Sequence, residues 1–127
     1  MGSSAGVSIL IVEDEAELRN LFALILEMEG FTVLQAADGQ KGLDILSAHP
    51  GGITMMITDL NLPKVGGVDL ITQARRLNPR VKIVGTSGMS GDKVRDMVMR
   101  AGADDFIPKP FQAQDAIRKL KAILDQP

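Results

Sequence analysis

The sequence has no cysteine, tryptophan or tyrosine, and only one histidine among 127 residues. Without cysteine the chain forms no disulfide bond and has no thiolate chemistry, which fits a reducing cytoplasm. Acids outnumber Lys and Arg by 16 to 14, and the pI of about 5.3 argues against the basic surface of a nucleic-acid-binding domain. No apolar run approaches the ~20 residues that a membrane helix needs. We therefore expect a cytoplasmic domain that binds neither nucleic acid nor membrane directly.

The length and composition suit one globular domain, since 45% of the residues are hydrophobic and 24% are charged. The opening segment, MGSSAG, is too short and too polar for a signal peptide. We expect residues 1–6 to be a flexible leader or a remnant of cloning, residues 7–125 to form the domain, and residues 126–127 to be a tail.

Apolar strand patterns alternate with helical patterns along the chain. Strands are predicted within 7–14, 31–38, 53–60, 81–87 and 104–110, and helices within 15–30, 39–49, 68–78, 88–102 and 111–125. The first helix carries an apolar stripe of Leu18, Leu21, Phe22, Ile25 and Met28. Nearly continuous apolar strands indicate a parallel sheet that is covered on both faces. The sequence therefore predicts a doubly wound α/β fold, in which ligands bind beyond the carboxyl ends of the strands.

Those carboxyl ends carry the polar residues that can do chemistry. Acids end the first and third strands, two hydroxyls end the fourth, and a lysine follows the fifth: Glu13, Asp14, Asp59, Thr86, Ser87 and Lys109. Asp38, after the second strand, is expected to cap the next helix instead.

Three carboxylates within a few ångströms repel one another by several kcal/mol per pair at an effective dielectric constant of about 20. A hard cation such as Mg²⁺ relieves that repulsion, and a lysine adds a further positive charge. Such a site suits a phosphoryl group, for which a carboxylate can be the acceptor. Each residue also has an ordinary explanation when taken alone. Glu13 and Asp14 can begin a helix, Asp59 can form an Asx-turn, and Lys109 can be an exposed lysine.

The combined pattern resembles the receiver domain of bacterial two-component response regulators over about residues 7 to 125. ILIVEDE resembles the acidic pair after strand one, and MITDLNLPKVGG resembles the phosphoacceptor strand and its loop. GTSG resembles the hydroxyl-bearing end of strand four, and AGADDFIPKPF resembles the segment around the lysine. This resemblance implies a flavodoxin-like fold with five helices and strand order 2-1-3-4-5.

The resemblance also implies roles for individual residues. Asp59 matches the phosphoacceptor, and Lys109 matches the lysine that contacts the phosphoryl group. Mg²⁺ would be held by Glu13, Asp14, Asp59 and the backbone carbonyl of Asn61. The family's switch residues match Ser87 and Phe106, whose ring is expected to move inward, and the Lys109–Pro110 bond is expected to be cis.

Thr86 and Ser87 are adjacent, so their side chains point to opposite faces of the sheet. We choose Ser87 as the switch hydroxyl because the family places it 22 residues before the lysine. Thr86 is then expected on the other face. Gly85, where the family usually has a larger apolar residue, is expected either to weaken strand four or to permit the close approach of another group.

The implied function is a phosphorylation-activated switch and not an enzyme, although the resemblance implies Mg²⁺-dependent self-phosphorylation from small donors and self-dephosphorylation. The phosphoryl group would come from a sensor histidine kinase or a histidine phosphotransfer protein. The signal would pass to an output domain or protein through the face formed by helix four, strand five and helix five, and a homodimer is possible. On helix four, one of Met97 and Met99 is expected to be exposed. The chain can be a single-domain regulator or part of a hybrid kinase or transcription factor.

Three other classes fit less well. A flavodoxin-like cofactor domain needs a Ser/Thr/Gly-rich phosphate loop after strand one, where this chain has EDEAE. A haloacid-dehalogenase-like phosphatase carries an Asp-x-Asp pattern on strand one, which VEDEAE does not match. A degenerate receiver used only for binding would lack the acceptor or the lysine, and both residues are present.

Overall fold

The computed structural model of this chain describes residues 6–62, 64–89 and 91–126. Most of the predicted leader, Pro63, Ser90 and Pro127 lie outside these ranges. Within them, strands and helices alternate: β1 Ser8–Val12, α1 Ala16–Met28, β2 Thr32–Ala36, α2 Gly39–Ala48, β3 Met55–Asp59, α3 Gly67–Leu77, β4 Lys82–Ser87, α4 Asp92–Ala101, β5 Asp105–Pro108 and α5 Ala113–Leu124.

The five described strands form one parallel sheet in the order β2-β1-β3-β4-β5. This confirms the predicted doubly wound, flavodoxin-like architecture. The predicted elements are present, with their ends shifted by a few residues. Because all the strands are parallel, their carboxyl ends lie at one edge of the sheet, which is where the candidate residues were predicted to meet.

Alternate residues of each strand feed two separate hydrophobic cores, one on each face of the sheet. The α4-side core takes Leu10, Met56 and Ile83 from the strands and packs them against α2, α3 and α4. The α1-side core takes Ile11 and Ile57 and packs them against α1 and α5. Burial on both faces explains why the strand sequences are almost continuously apolar.

The apolar stripe predicted on α1 is largely wrong. Leu18 and Leu21 are exposed by 46% and 55%, and Met28 by 76%. The fully buried residues of the helix are Ala23 and Leu26, which the predicted stripe did not include. Apolar residues occur on more than one side of this helix, so their spacing alone did not identify the side that packs on the sheet. The exposed leucines lie beside the candidate site.

Two smaller predictions, on Asp38 and on the methionines of helix four, are confirmed. Asp38 caps α2, because its Oδ1 accepts a hydrogen bond from the Lys41 N–H at 2.8 Å. Met97 is exposed while Met99 is half-buried. Among the described helices, none has the length and hydropathy required to cross a bilayer.

Gly85 allows α4 to lie close to β4. A Cβ atom placed on Gly85 would lie 2.7 Å from Cγ1 of Val98, a fully buried residue of α4. Real Cβ atoms essentially never make so short a contact, so a larger residue would push the helix away. The close approach that the sequence predicted at this glycine is therefore confirmed, and its partner is Val98.

We predict that Gly85→Ala lowers the free energy of unfolding by about 1–3 kcal/mol, because it overpacks the α4-side core. Gly88→Ala is the matched control, since a Cβ atom at Gly88 meets nothing within 4 Å. That control is expected to leave stability unchanged or to raise it by up to about 1 kcal/mol. Urea denaturation followed by far-ultraviolet circular dichroism measures both, and equal stabilities would contradict this account.

Candidate functional site

The candidate residues meet where β1, β3, β4 and β5 end. Glu13 directly follows β1, Asp59 is the last residue of β3, and Lys109 directly follows β5. The register pairs Val12 with Thr58 across β1 and β3, so Glu13 and Asp59 leave the sheet at the same level. The strands themselves therefore position these side chains.

Lys109 is the centre of this cluster. Its Nζ donates hydrogen bonds to Glu13 Oε1 at 2.6 Å and to Asp59 Oδ2 at 2.8 Å. The side chains of Glu13 and Asp59 are only 10% and 12% exposed, and that of Lys109 is 23% exposed. Charges with this little water need partners, and each carboxylate here has the same ammonium as its partner.

Asp59 uses both of its carboxylate oxygens. Oδ1 accepts a hydrogen bond from the Asn61 N–H at 3.1 Å, while Oδ2 faces Lys109. The Asx-turn that we considered as an ordinary role for Asp59 is thus present, and it coexists with the lysine contact. The turn fixes the orientation of the carboxylate and keeps Asn61 directly beside it.

The acids also form a group that can hold a metal ion. Glu13, Asp14 and Asp59 each offer an oxygen atom, and these three atoms lie within 4.8 Å of one another. Asp14 and Asn61 are exposed, so the group is open to water on one side. An all-oxygen, partly solvated site of this kind fits Mg²⁺, which binds through few carboxylates and retains several waters.

The electrostatics differ between the two ends of the ion pair. Burial raises the pKa of the Glu13 carboxyl group, and the hydrogen bond from Lys109 only partly opposes this. Burial also pushes the pKa of Lys109 downward, but the hydrogen bonds to Asp59 and Glu13 outweigh it, so that pKa is raised. Burial therefore dominates at Glu13 and the ionic contacts dominate at Lys109. The reason is that Lys109 contacts two carboxylates, whereas Glu13 shares a single ammonium group with Asp59.

The two neighbouring hydroxyls lie on opposite faces, as strand alternation requires. Thr86 is in register with Asp59 and lines the same cavity, and its Oγ1 donates to the Thr58 carbonyl at 3.5 Å. Ser87 is buried, and its Oγ accepts a hydrogen bond from the Met89 N–H at 3.0 Å. Thr86 is thus hydrogen-bonded on the face opposite Ser87, as expected, and that face is the one that Asp59 shares. The assignment of Ser87 as the switch hydroxyl stays a prediction.

Phe106 lies in the α4-side core. Its ring is only 4% exposed, and the residue is in register with Gly85 on β4. The side chain is therefore inside in this structure, and its movement when the switch operates stays a prediction. The Lys109–Pro110 bond is cis, as expected.

Sequence reasoning missed one contact near the site. Arg19 of α1 donates from Nη1 to the Glu13 carbonyl at 2.7 Å and from Nε to Gln35 Oε1 at 3.2 Å. It thereby fastens the β1–α1 connection that carries the acidic pair. No motif marks this arginine, and only its position in the first turn of the helix that follows the acidic pair could have suggested it.

The single histidine is not part of the site. His49 ends α2, and its side chain is exposed, with Nδ1 2.9 Å from the Ile45 carbonyl oxygen. Because α2 runs back from the carboxyl end of β2, His49 lies toward the opposite edge of the sheet.

Comparisons with known proteins agree with this geometry. The family model described as the response regulator receiver domain matches residues 9–121. The alkaline phosphatase synthesis transcriptional regulatory protein SphR of Synechococcus elongatus is 36% identical over 129 residues, covering 96% of this chain and 50% of SphR. The transcriptional regulatory protein CpxR of Escherichia coli K12 is 34% identical over 116 residues, covering 91% of this chain and 48% of CpxR.

A solved CheY-like receiver domain protein from Methanospirillum hungatei has a TM-score of 0.87 and 31% identity, and the match covers 94% of each chain. The chain spans about half the length of the curated relatives it matches. The fold, the acidic cluster with its lysine and these matches lead to one conclusion: this chain belongs to the family of response regulator receiver domains.

Proposed function

We propose that this domain is a signalling switch that accepts a phosphoryl group on Asp59 in a Mg²⁺-dependent reaction. The observation that carries the proposal is the Lys109 ammonium held between Asp59 and Glu13 at the carboxyl edge of the sheet. Family membership supports it, since SphR and CpxR are named as transcriptional regulators. The phosphoryl donor is a histidine kinase or a histidine phosphotransfer protein.

In the transfer, a carboxylate oxygen of Asp59 attacks phosphorus as the bond to the donor breaks, and an aspartyl phosphate forms. Lys109, already 2.8 Å from Asp59, stays near enough to neutralise a phosphoryl oxygen. Mg²⁺, when bound, supplies further positive charge. It would be held by Glu13, Asp14, Asp59 and the Asn61 carbonyl. Small phosphodonors serve the same acceptor, and the domain dephosphorylates itself in the same site.

The signal then passes to the face formed by α4, β5 and α5. Ser87 turns toward the phosphoryl group, which breaks its contact with the Met89 N–H. Phe106 needs no large movement because it is already buried, so we expect the change to be a small adjustment of α4 against Gly85. The ion pair between Arg95 and Asp105, 3.3 Å long, links α4 to β5 on this face.

This face contacts an output domain, another protein or a second copy of the chain. The exposed Met97 lies on the other side of α4, beside Val68 and Thr72 of α3. The domain acts in the cytoplasm, without direct contact with nucleic acid or membrane.

The first prediction concerns the acceptor. Incubation with acetyl phosphate and Mg²⁺ is expected to add the mass of one phosphoryl group to the intact wild-type chain, because Asp59 is the nucleophile. Asp59→Asn is expected to abolish the gain. Asp69→Asn, which changes an exposed acid of α3, is the control that should retain it. A gain that persists in Asp59→Asn, or a wild-type chain that no donor modifies, would sink the proposal.

The second prediction separates the two hydroxyls. Ser87→Ala is expected to remove most of the amide chemical-shift changes that phosphorylation causes in α4 and β5, because it removes the hydroxyl that connects the site to α4. Thr86→Val removes the hydroxyl on the opposite face and leaves a side chain of similar shape, so it is expected to retain the chemical-shift changes. Two-dimensional NMR with the phosphodonor and Mg²⁺ measures both. The reverse pattern would assign the switch to Thr86, the hydroxyl in register with Asp59.

The third prediction concerns Glu13 in the metal-free chain. The pKa of its carboxyl group is raised above the ordinary 4.5, so the folded chain binds the carboxyl proton more tightly than the unfolded chain does. Stability is therefore lost as the pH rises from about that value through the raised pKa. Glu13→Gln removes this loss of stability because glutamine does not ionise. At pH 7, in the presence of a metal chelator, the variant is expected to have a free energy of unfolding up to about 1 kcal/mol higher than the wild type.

Below pH 4.5 the difference between Glu13→Gln and wild type is expected to disappear. Added Mg²⁺ should stabilise the wild type and have less effect on the variant, because a ligand bound only by the folded state raises its stability. Glu17→Gln, which alters an exposed acid in the first turn of α1, is the control. Equal stability of Glu13→Gln and wild type at every pH would contradict the assigned pKa.

A further inference from the structure

An apolar cavity opens directly beside the acceptor carboxylate. It has a volume of about 360 Å³ and lies between α1 and the segment that leads into α5. Its apolar walls come from both elements: Leu18, Leu21, Phe22, Ile25, Phe111 and Ala113. Ile11 and Ile57 of the sheet also contribute to its lining. The receiver chemistry described above uses only the polar end of this space.

The walls are built from large side chains. The rings of Phe22 and Phe111 are tilted by 59°, with centroids 5.6 Å apart, which ties α1 to the start of α5. Leu18 and Leu21 are about half exposed at the cavity. Two exposed leucines at the mouth of an apolar cavity leave apolar surface that a bound group can cover.

The other end of the cavity is charged. Asp59, Glu13, Lys109 and Arg19 line it together with the apolar residues. A small-molecule site typically has this composition, with mostly apolar walls and a few convergent polar groups that orient the ligand. The volume is ample, since a dry apolar cavity of about 150 Å³ already holds benzene. A matching ligand has an apolar body and a compact phosphoryl head that reaches Asp59 and Lys109.

We propose, building on the proposed function, that the small phosphodonors preferred by this domain are acyl phosphates with a bulky apolar acyl group. The phosphoryl head lies against Asp59 and Lys109, and the acyl group is buried between α1 and Phe111. A carboxylate oxygen of Asp59 forms the new bond to phosphorus. The bond from phosphorus to the acyl oxygen breaks, and its electron pair leaves on the carboxylate of the released acid. The transfer needs no oxidant, reductant or added proton.

The test compares initial rates of phosphorylation by acetyl phosphate, benzoyl phosphate and phosphoramidate in the presence of Mg²⁺, followed by intact-mass measurement. For the wild type, the second-order rate constant of phosphorylation is expected to be about tenfold or more higher with benzoyl phosphate than with acetyl phosphate, the discrimination that added apolar surface gives in a hydrophobic pocket. Phosphoramidate, which has no acyl group, serves as the small polar reference.

Leu21→Ser is expected to reduce the ratio of benzoyl to acetyl rates several-fold. Leu24→Ser is the matched control, because Leu24 is an equally exposed leucine of α1 that does not line the cavity, and it should keep the wild-type ratio. Both positions are exposed, and circular dichroism checks that both variants fold.

The outcomes are distinct. Equal rates with acetyl and benzoyl phosphate in the wild type would overturn this inference while leaving Asp59 as acceptor. A preference that Leu21→Ser and Leu24→Ser share equally with the wild type would reflect the intrinsic reactivity of the donor and would also overturn it. If no donor phosphorylates the chain, the proposed function fails first, and this inference fails with it.

Discussion

The bridging of Asp59 and Glu13 by Lys109 is the interaction on which the site depends. An ammonium 2.6 and 2.8 Å from two nearly buried carboxylates balances charges that would otherwise repel. To make this bridge, β1, β3 and β5 must all end at the same level, although β4 lies between β3 and β5. A parallel sheet meets this requirement, because every carboxyl end lies at one edge. The site is thus a consequence of the topology together with three side chains placed at the ends of strands.

The rest of the structure keeps those strand ends rigid. The two cores pack on both faces of the sheet. As a result Thr58, the residue directly before Asp59, is fully buried. Arg75 links the segments that lead into β4 and β5. Its guanidinium donates hydrogen bonds to the Val81 and Gly102 carbonyls and to the Asp104 carboxylate. Asp104 Oδ2 in turn accepts a hydrogen bond from the Ile83 N–H at 2.8 Å. Functional groups on such supported elements keep their geometry better than groups on long loops.

Much of this arrangement could be predicted from the sequence, because its signals are local. Continuous apolar strands indicated a sheet covered on both faces, and polar residues at strand ends indicated Glu13, Asp59 and Lys109 as neighbours. Features that depend on packing between distant elements could not be predicted. Examples are the burial of Phe106, the exposure of Leu18 and Leu21, and the cavity between α1 and Phe111. Alternation correctly separated Thr86 from Ser87, but only the strand register showed that Thr86 shares the side of Asp59.

The central claim is that Asp59 itself receives the phosphoryl group. The most direct test is reduction of the phosphodonor-treated chain with borohydride, which converts an aspartyl phosphate into homoserine, followed by peptide sequencing by mass spectrometry. The account predicts homoserine at position 59 and at no other acid, including the neighbouring Glu13 and Asp14. Conversion at another residue, or a phosphorylated chain that yields no homoserine at position 59, would contradict it.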